Sequence, residues 1–99
     1  MGCKMSLEPQ ADGTIIWDKT AREDFEAVLA KIPVFLRDMA RRKVSQKAEK
    51  NAGKENRRLV SPKDVVDAFF METPFGFHGP MKMDMEALGI DYQKYGYSK

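Results

Sequence analysis

The sequence Ile-Pro-Val-Phe-Leu-Arg-Asp-Met-Ala-Arg-Arg, residues 32–42, decides the fold predicted for this chain. Proline lacks a backbone N–H and disfavours helical geometry in the residue before it, so Ile32 should end one helix or lie at a sharp kink. Pro33 is then well placed as the first residue of the next helix. The apolar residues that follow predict a core anchor, and the arginines predict a charged face.

Helical periodicity continues on both sides of this turn. A first helix is predicted to begin at the capping box Thr20 to Glu23, because the threonine hydroxyl and the glutamate can each satisfy a free backbone amide. Its apolar positions recur with helical spacing at Phe25, Val28, Leu29 and Ile32. A second helix is predicted from about Pro33 to Asn51, ended by Gly53. Its apolar stripe steps by four through Leu36, Ala40, Val44 and Ala48, widened by Phe35 and Met39.

A third helix has a clear start and end in the sequence. Ser61 can act as N-cap, Pro62 occupies the first helical position, and Pro74 ends the run. Residues 73–80 predict a loop, because they combine prolines with glycines. A short fourth helix can follow, closed by Gly89 and carrying Met81, Met85 and Leu88 on one face. The tail carries Tyr92, Tyr95 and Tyr97, which could wrap the bundle or wait for a partner.

These elements predict an all-α fold, a small three-helix bundle with a short fourth helix and an irregular tail. Residues 1–14 are expected to form a flexible leader, 15–73 the helical domain, and 74–99 a Gly/Pro loop, short helix and aromatic tail. Trp17 is expected to pack as a lid on the core. A chain of 99 residues with one cysteine and no long apolar run favours one core, no disulfide framework and the cytoplasm, with no membrane partner.

The charge is unevenly distributed along the chain. Residues 36–62 hold nine Lys/Arg against three Asp/Glu, whereas each flanking third holds four against six. The basic middle could be a solvated face or could bind an anionic partner. We expect Arg37, Arg41, Arg42 and Lys43 to dock a partner or ligand, because guanidinium groups suit carboxylates and phosphates.

The segment from Trp17 to about Phe70 resembles the small C-terminal domain of the B subunit of light-independent protochlorophyllide reductase. The resemblance covers a little over half of the chain, and its core is Ile-Pro-x-Phe-x-Arg followed by a basic pair. The matching positions expected to be structural are Trp17, Ile32, Pro33, Phe35 and Ala40. The resemblance implies a free-standing, non-catalytic interaction module that docks on a larger protein subunit or shields a tetrapyrrole in chlorophyll-type biosynthesis.

In the resembled family, the complete reductase uses iron-sulfur clusters and ATP to reduce one ring double bond. Those cofactors belong to the complex. This chain has one cysteine where a cluster takes four thiolates, and it lacks a Gly-x-x-x-x-Gly-Lys phosphate loop. We therefore expect the chain to bind no cofactor alone, and to be an accessory part of an oxidoreductase rather than an enzyme by itself.

Two other functions remain open from the sequence. The basic middle could bind nucleic acid, although the connection before the third helix is too long for a helix-turn-helix. The second is a weak candidate metal site, since an imidazole with thioethers suits copper(I). Its ligands would be His78, Met81, Met83 and Met85. If that segment is helical, Met83 turns away from the other two methionines, and core packing becomes the simpler explanation.

Overall fold

The computed structural model describes residues 15–98. These residues form a compact helical bundle, which confirms the predicted all-α class. The leader predicted for residues 1–14 lies outside the described part of the chain. The elements in order are β1 (Ile16–Trp17), α1 (Lys19–Leu29), α2 (Val34–Lys54), β2 (Leu59–Val60), α3 (Pro62–Glu72), a 3-10 helix (Phe75–Phe77), α4 (His78–Ala87) and a second 3-10 helix (Tyr92–Tyr95).

Helix α1 begins two residues earlier than a Thr20 cap would allow, and its N-cap is Asp18. The carboxylate of Asp18 accepts hydrogen bonds from the backbone amides of Thr20 (3.1 Å) and Ala21 (3.4 Å). Aspartate is among the best N-capping residues, and here it lies ahead of the threonine, so the predicted capping box was wrong. The helix ends at Leu29, and residues 30–32 form a turn that places Ile32 beyond the helix.

Helix α2 begins and ends differently from the prediction. Pro33 is its N-cap rather than its first helical residue, and the helix continues through Gly53 to Lys54. The chain leaves the helix through Asn56, whose φ of 60° lies in the left-handed region. Asparagine tolerates this conformation better than most residues, so the helix did not need to end at the glycine.

A short parallel β pair joins the two ends of the α1–α2 hairpin. Ile16 pairs with Leu59 and Trp17 with Val60, and the Ile16 amide donates to the Arg58 carbonyl at 2.7 Å. The sequence prediction had no strand, because two residues are too few to show alternation. Trp17 packs against the core as predicted, and its indole N–H donates to Glu49 on α2 at 3.0 Å.

Helix α3 starts with the predicted Ser61 cap. The Asp64 carboxylate accepts from the Ser61 amide at 2.8 Å, and Arg57 donates to both carboxylate oxygens at 2.8 and 2.9 Å. Burial raises the pKa of the Asp64 carboxyl, but the hydrogen bonds from Arg57 and Ser61 outweigh burial and leave it below its ordinary value. This ion pair fixes the loop between α2 and α3.

The predicted loop at residues 73–80 is mostly helical. A 3-10 helix occupies Phe75–Phe77, and α4 begins at His78, so Pro80 lies inside its first turn. Proline is tolerated there because the first-turn amides have no helical acceptor. Gly89 closes the segment as predicted, with a φ of 77°.

One hydrophobic core runs through both predicted segments, 15–73 and 74–99. Met81, Met85, Ile90 and Tyr92 are buried in the same cluster as α1, α2 and α3. Tyr97 stacks on Phe70, with ring centroids 3.9 Å apart and planes 5° apart. The aromatic tail therefore wraps the bundle, and residue 73 does not mark a packing boundary. No helix in residues 15–98 is both long enough and apolar enough to cross a bilayer.

Candidate functional site: an apolar groove beside a lysine row

An open groove lies between the α1–α2 turn and the α3–α4 turn. Both turns carry a proline, Pro33 and Pro74, and both prolines line the groove. Its volume is about 490 Å³, and most of its lining is apolar. The apolar lining comprises Val28, Ile32, Pro33, Leu36, Met39, Ala40, Phe69, Pro74, Phe77, Pro80 and Met81. The polar members include Lys31, Glu72 and Asp84.

Large apolar side chains are also exposed to solvent directly after the two prolines that line the groove. Val34 and Phe35 follow Pro33 and are 73% and 82% exposed, and Phe75 and Phe77 follow Pro74 and are 87% and 64% exposed. Single exposed apolar residues are ordinary on protein surfaces, but four of them next to the two prolines that line an apolar groove indicate an interaction site. We call these four side chains and the groove the groove surface.

Phe35 was expected to belong to the core, and this prediction was wrong. Phe35 precedes the buried Val44 by nine residues, which is about 900° of helical rotation, or half a turn away from the core side of α2. The same geometry directs Arg37 inward, because seven residues are close to two full turns. Phe35 is exposed and Arg37 is half-buried because of how α2 is rotated about its own axis when it packs on the bundle.

Arg37 has an intramolecular role, and its predicted docking role stays a prediction. Its Nε donates to the Leu29 carbonyl at 3.0 Å, and its Nη2 donates to the carbonyls of Ala30 (3.2 Å) and Ile32 (2.9 Å). These carbonyls lie at and beyond the end of α1, where helical hydrogen bonds run out. The guanidinium therefore caps α1 from α2 and holds the turn that forms one wall of the groove.

The other predicted docking residues have different environments. Arg41 forms an ion pair with Glu26 on α1, with Nη1 and Oε2 2.5 Å apart, and this hydrogen bond raises the pKa of Arg41. Its guanidinium carbon also lies 5.9 Å from the ring centroid of Phe25. Arg42 and Lys43 are exposed on α2 and stay candidates for contacting a partner.

A row of lysines continues from the groove along α2. Lys43, Lys47 and Lys50 line a neighbouring depression of about 270 Å³ together with Gln46 and Glu72. The Lys47 ammonium lies 3.7 Å from the Glu72 carboxylate. Glu72 lines both the depression and the groove, so the two surfaces are continuous. We call Lys43, Lys47 and Lys50 the lysine row. Their spacing of four and three residues places them on one helix face, a signal present in the sequence beside the more prominent arginines.

Comparison with known families adds one finding. Residues 10–98 match the family described as protein of unknown function DUF2621. The chain belongs to the DUF2621 family. Comparisons with curated proteins and with solved structures gave no match. This family is described by no activity, so the resemblance to the protochlorophyllide reductase domain stays a prediction.

The four candidate metal ligands of this DUF2621 protein do not all lie on one face of α4. Met81 and Met85 are buried in the core, whereas Met83 on the same helix is 70% exposed. His78 Nε2 lies 3.1 Å from the Phe70 carbonyl and 2.9 Å from the Thr73 carbonyl, so this nitrogen carries the proton and donates. The helical alternative therefore explains the methionines. Within residues 15–98, no group of three or more His, Cys, Asp or Glu side chains could hold a metal ion.

Proposed function

We propose that this DUF2621 protein is a non-catalytic docking module, and that the groove surface binds an amphipathic helix of a larger protein. One observation carries the proposal. The fold buries a continuous core, yet Val34 and Phe35 after Pro33, and Phe75 and Phe77 after Pro74, stay exposed next to the two prolines that line an apolar groove. Exposing apolar surface costs roughly 25 cal/mol per Å², and binding a partner would recover that free energy.

The exposed side chains favour a protein over a small ligand. A volume of about 490 Å³ lies in the range of roughly 300–1,000 Å³ that small-molecule sites occupy. A ligand inside the groove, including the tetrapyrrole implied by the resemblance, would nevertheless leave Phe35 and Phe75 in water. A protein segment lying across the groove could cover both aromatic side chains as well as the groove floor.

The architecture favours a helical segment over an extended one. Addition of a strand requires a free sheet edge that offers backbone hydrogen bonds along several residues. In residues 15–98 each strand has two residues. The groove is lined by apolar side chains, which are the contacts that the apolar face of an amphipathic helix uses.

The wider role follows from the resemblance and is part of the same proposal. A module of this kind would act as an accessory of an oxidoreductase, bind no cofactor by itself and work in the cytoplasm. Nucleic-acid binding is the second candidate, because the lysine row could contact phosphates. The Glu72 carboxylate beside that row and the Asp84 carboxylate in the groove disfavour binding of a polyanion over the whole surface.

Photo-crosslinking in the native host tests the proposal. A photoreactive phenylalanine analogue at Met39, in the groove, should crosslink to one larger protein, and mass spectrometry should locate the adduct in an amphipathic helix. Leu36→Asp should abolish the adduct, because it puts a charge on the apolar floor. A matched control with the analogue at Lys19, at the far end of α1, should give no such adduct.

Several outcomes would contradict the proposal. Equal adducts from positions 39 and 19, or a crosslinked segment without an apolar face, would remove the groove from the binding site. Adducts only to lipid, pigment or nucleic acid would also refute protein docking. Leu36→Asp should also be compared with wild type by circular dichroism. If its helicity is unchanged, unfolding is excluded as the reason for a lost adduct.

A further inference from the structure

We infer that the partner helix carries its acidic residues at one end, and that these carboxylates lie over the lysine row while its apolar face fills the groove. This inference rests on the proposed function and adds the charge pattern and orientation of the bound helix. It follows from the unequal distribution of charge along one continuous surface.

The continuous surface has the length of a short helix. Leu36 in the groove and Lys50 in the lysine row are fourteen residues apart on α2, which is about 21 Å at 1.5 Å per residue. A partner helix of about 14 residues lying along α2 would therefore contact both regions. A much shorter segment would reach only one of them.

The two ends of this surface differ in charge. The depression that contains the lysine row holds three lysines and one glutamate, a formal charge of +2. The groove holds Lys31 against Glu72 and Asp84, a formal charge of −1. Glu72 belongs to both regions and pairs with Lys47. Among residues 15–98 no carboxylate forms a salt bridge with Lys43 or Lys50, so these two lysines are the ones proposed to meet a partner's carboxylates.

Carboxylates at the other end of the partner helix would lie near Asp84 and would not increase the affinity. Like charges brought together at an interface oppose binding, whereas complementary charges select the partner and its orientation. An amphipathic helix with carboxylates along its whole length is therefore a poorer match than one whose carboxylates are confined to one end.

Peptide binding tests the inference with defined probes. The first probe is a fluorescein-labelled helical peptide of about 14 residues, with leucines at helical spacing and three glutamates at one end. The second has lysines in place of the glutamates, and the third has glutamines there. We expect the acidic peptide to bind about tenfold more tightly than the neutral peptide at low salt, and the basic peptide to bind most weakly. Raising the ionic strength to about 1 M should remove the difference, because the Debye length is then about 3 Å and exposed charges farther apart than this hardly interact.

The variant Lys43→Glu/Lys50→Glu should remove the preference for the acidic peptide without changing the affinity for the neutral one. The matched control Lys19→Glu/Arg58→Glu changes the net charge equally at two residues that line neither the groove nor the depression, and should retain the preference. Amide chemical shifts of Leu36, Met39 and Met81 should respond to the acidic and neutral peptides alike.

The possible failures are distinguishable. Equal binding of all three peptides, with groove shifts present, would overturn the charged orientation and leave groove docking intact. Loss of the preference in both variants would show general electrostatics and would also overturn it. If no peptide shifts the groove resonances, the proposed function itself fails. Anionic phospholipid vesicles that bind wild type while no peptide does would assign the surface to a membrane instead.

Discussion

Removing the guanidinium of Arg37 should destabilise the fold more than removing any exposed arginine of α2. Arg37→Ala deletes three hydrogen bonds to carbonyls at the end of α1. Two of these contacts are partly buried and the one to Ala30 is exposed, so water can replace mainly that one. A hydrogen bond from a charged donor contributes roughly 1.5–3 kcal/mol, but the three share one side chain and are not additive.

We therefore expect the free energy of unfolding to fall by about 2–3 kcal/mol in Arg37→Ala. For a domain of this size, that loss corresponds to a decrease in Tm of roughly 10–20 °C. The measurement is urea denaturation followed by circular dichroism, with Arg42→Ala as the control. Arg42 is exposed on the same helix and carries the same charge, and its removal should cost about 0.5 kcal/mol or less.

Arg37→Lys separates hydrogen-bond geometry from charge. A lysine retains the positive charge near the C-terminus of α1 but lacks the planar fork that reaches several carbonyls. This variant should lose more than half of the stability that Arg37→Ala loses. Equal stabilities of the Arg37→Ala and Arg42→Ala variants would refute the capping role and return Arg37 to the set of free docking residues.

Three further changes test other local interactions. Asp18→Ala should cost about 1 kcal/mol of unfolding free energy and Thr20→Ala less than about 0.5, because the aspartate is the N-cap; the reverse order in urea melts would favour the threonine. The pKa of Asp64 is lowered in the folded state, so its stabilisation is present above the unfolded pKa of about 3.9 and is lost as pH falls through the folded value. Asp64→Asn should lower Tm at pH 7 and flatten its decrease in acid, and an unchanged acid profile would contradict this account. Tyr97→Phe removes a hydrogen bond to an α3 carboxylate and should cost about 1 kcal/mol with the helicity unchanged by circular dichroism. A variant as stable as wild type would show that the ring stacking alone holds the tail.

The proposed docking function is compatible with a stable fold, because the contacts that stabilise the bundle and the groove surface lie mainly at different ends of the molecule. The β pair, the Trp17 contacts and the Arg57–Asp64 ion pair hold one end of the bundle. The groove surface lies at the other end, between two proline turns. Mutation of its exposed side chains, such as Phe35 and Phe75, should change binding while leaving the free energy of unfolding nearly unchanged.

Local signals in the sequence determined much of the fold. The three main helices, the Ser61 cap and the closing Gly89 could all be predicted, because each depends on residues within a few positions of one another. The packing alternative for the methionines also followed from helical spacing. The helical structure of residues 75–80 was missed, and a loop was predicted instead, because prolines and glycines are also compatible with a 3-10 turn and a first helical turn.

Only the tertiary structure decided which residues of the segment 32–42 face the core. Periodicity places Phe35 and Arg37 on opposite sides of α2, but it does not say which side meets α1 and α3. Docking of the helices placed Arg37, half-buried, against the carbonyls at the end of α1 and left Phe35 in solvent. The β pair and the groove likewise depend on residues distant in sequence, so no local pattern could contain them. Long-range packing decides how each helix rotates about its axis, and at this site that rotation separates a structural residue from a candidate binding residue.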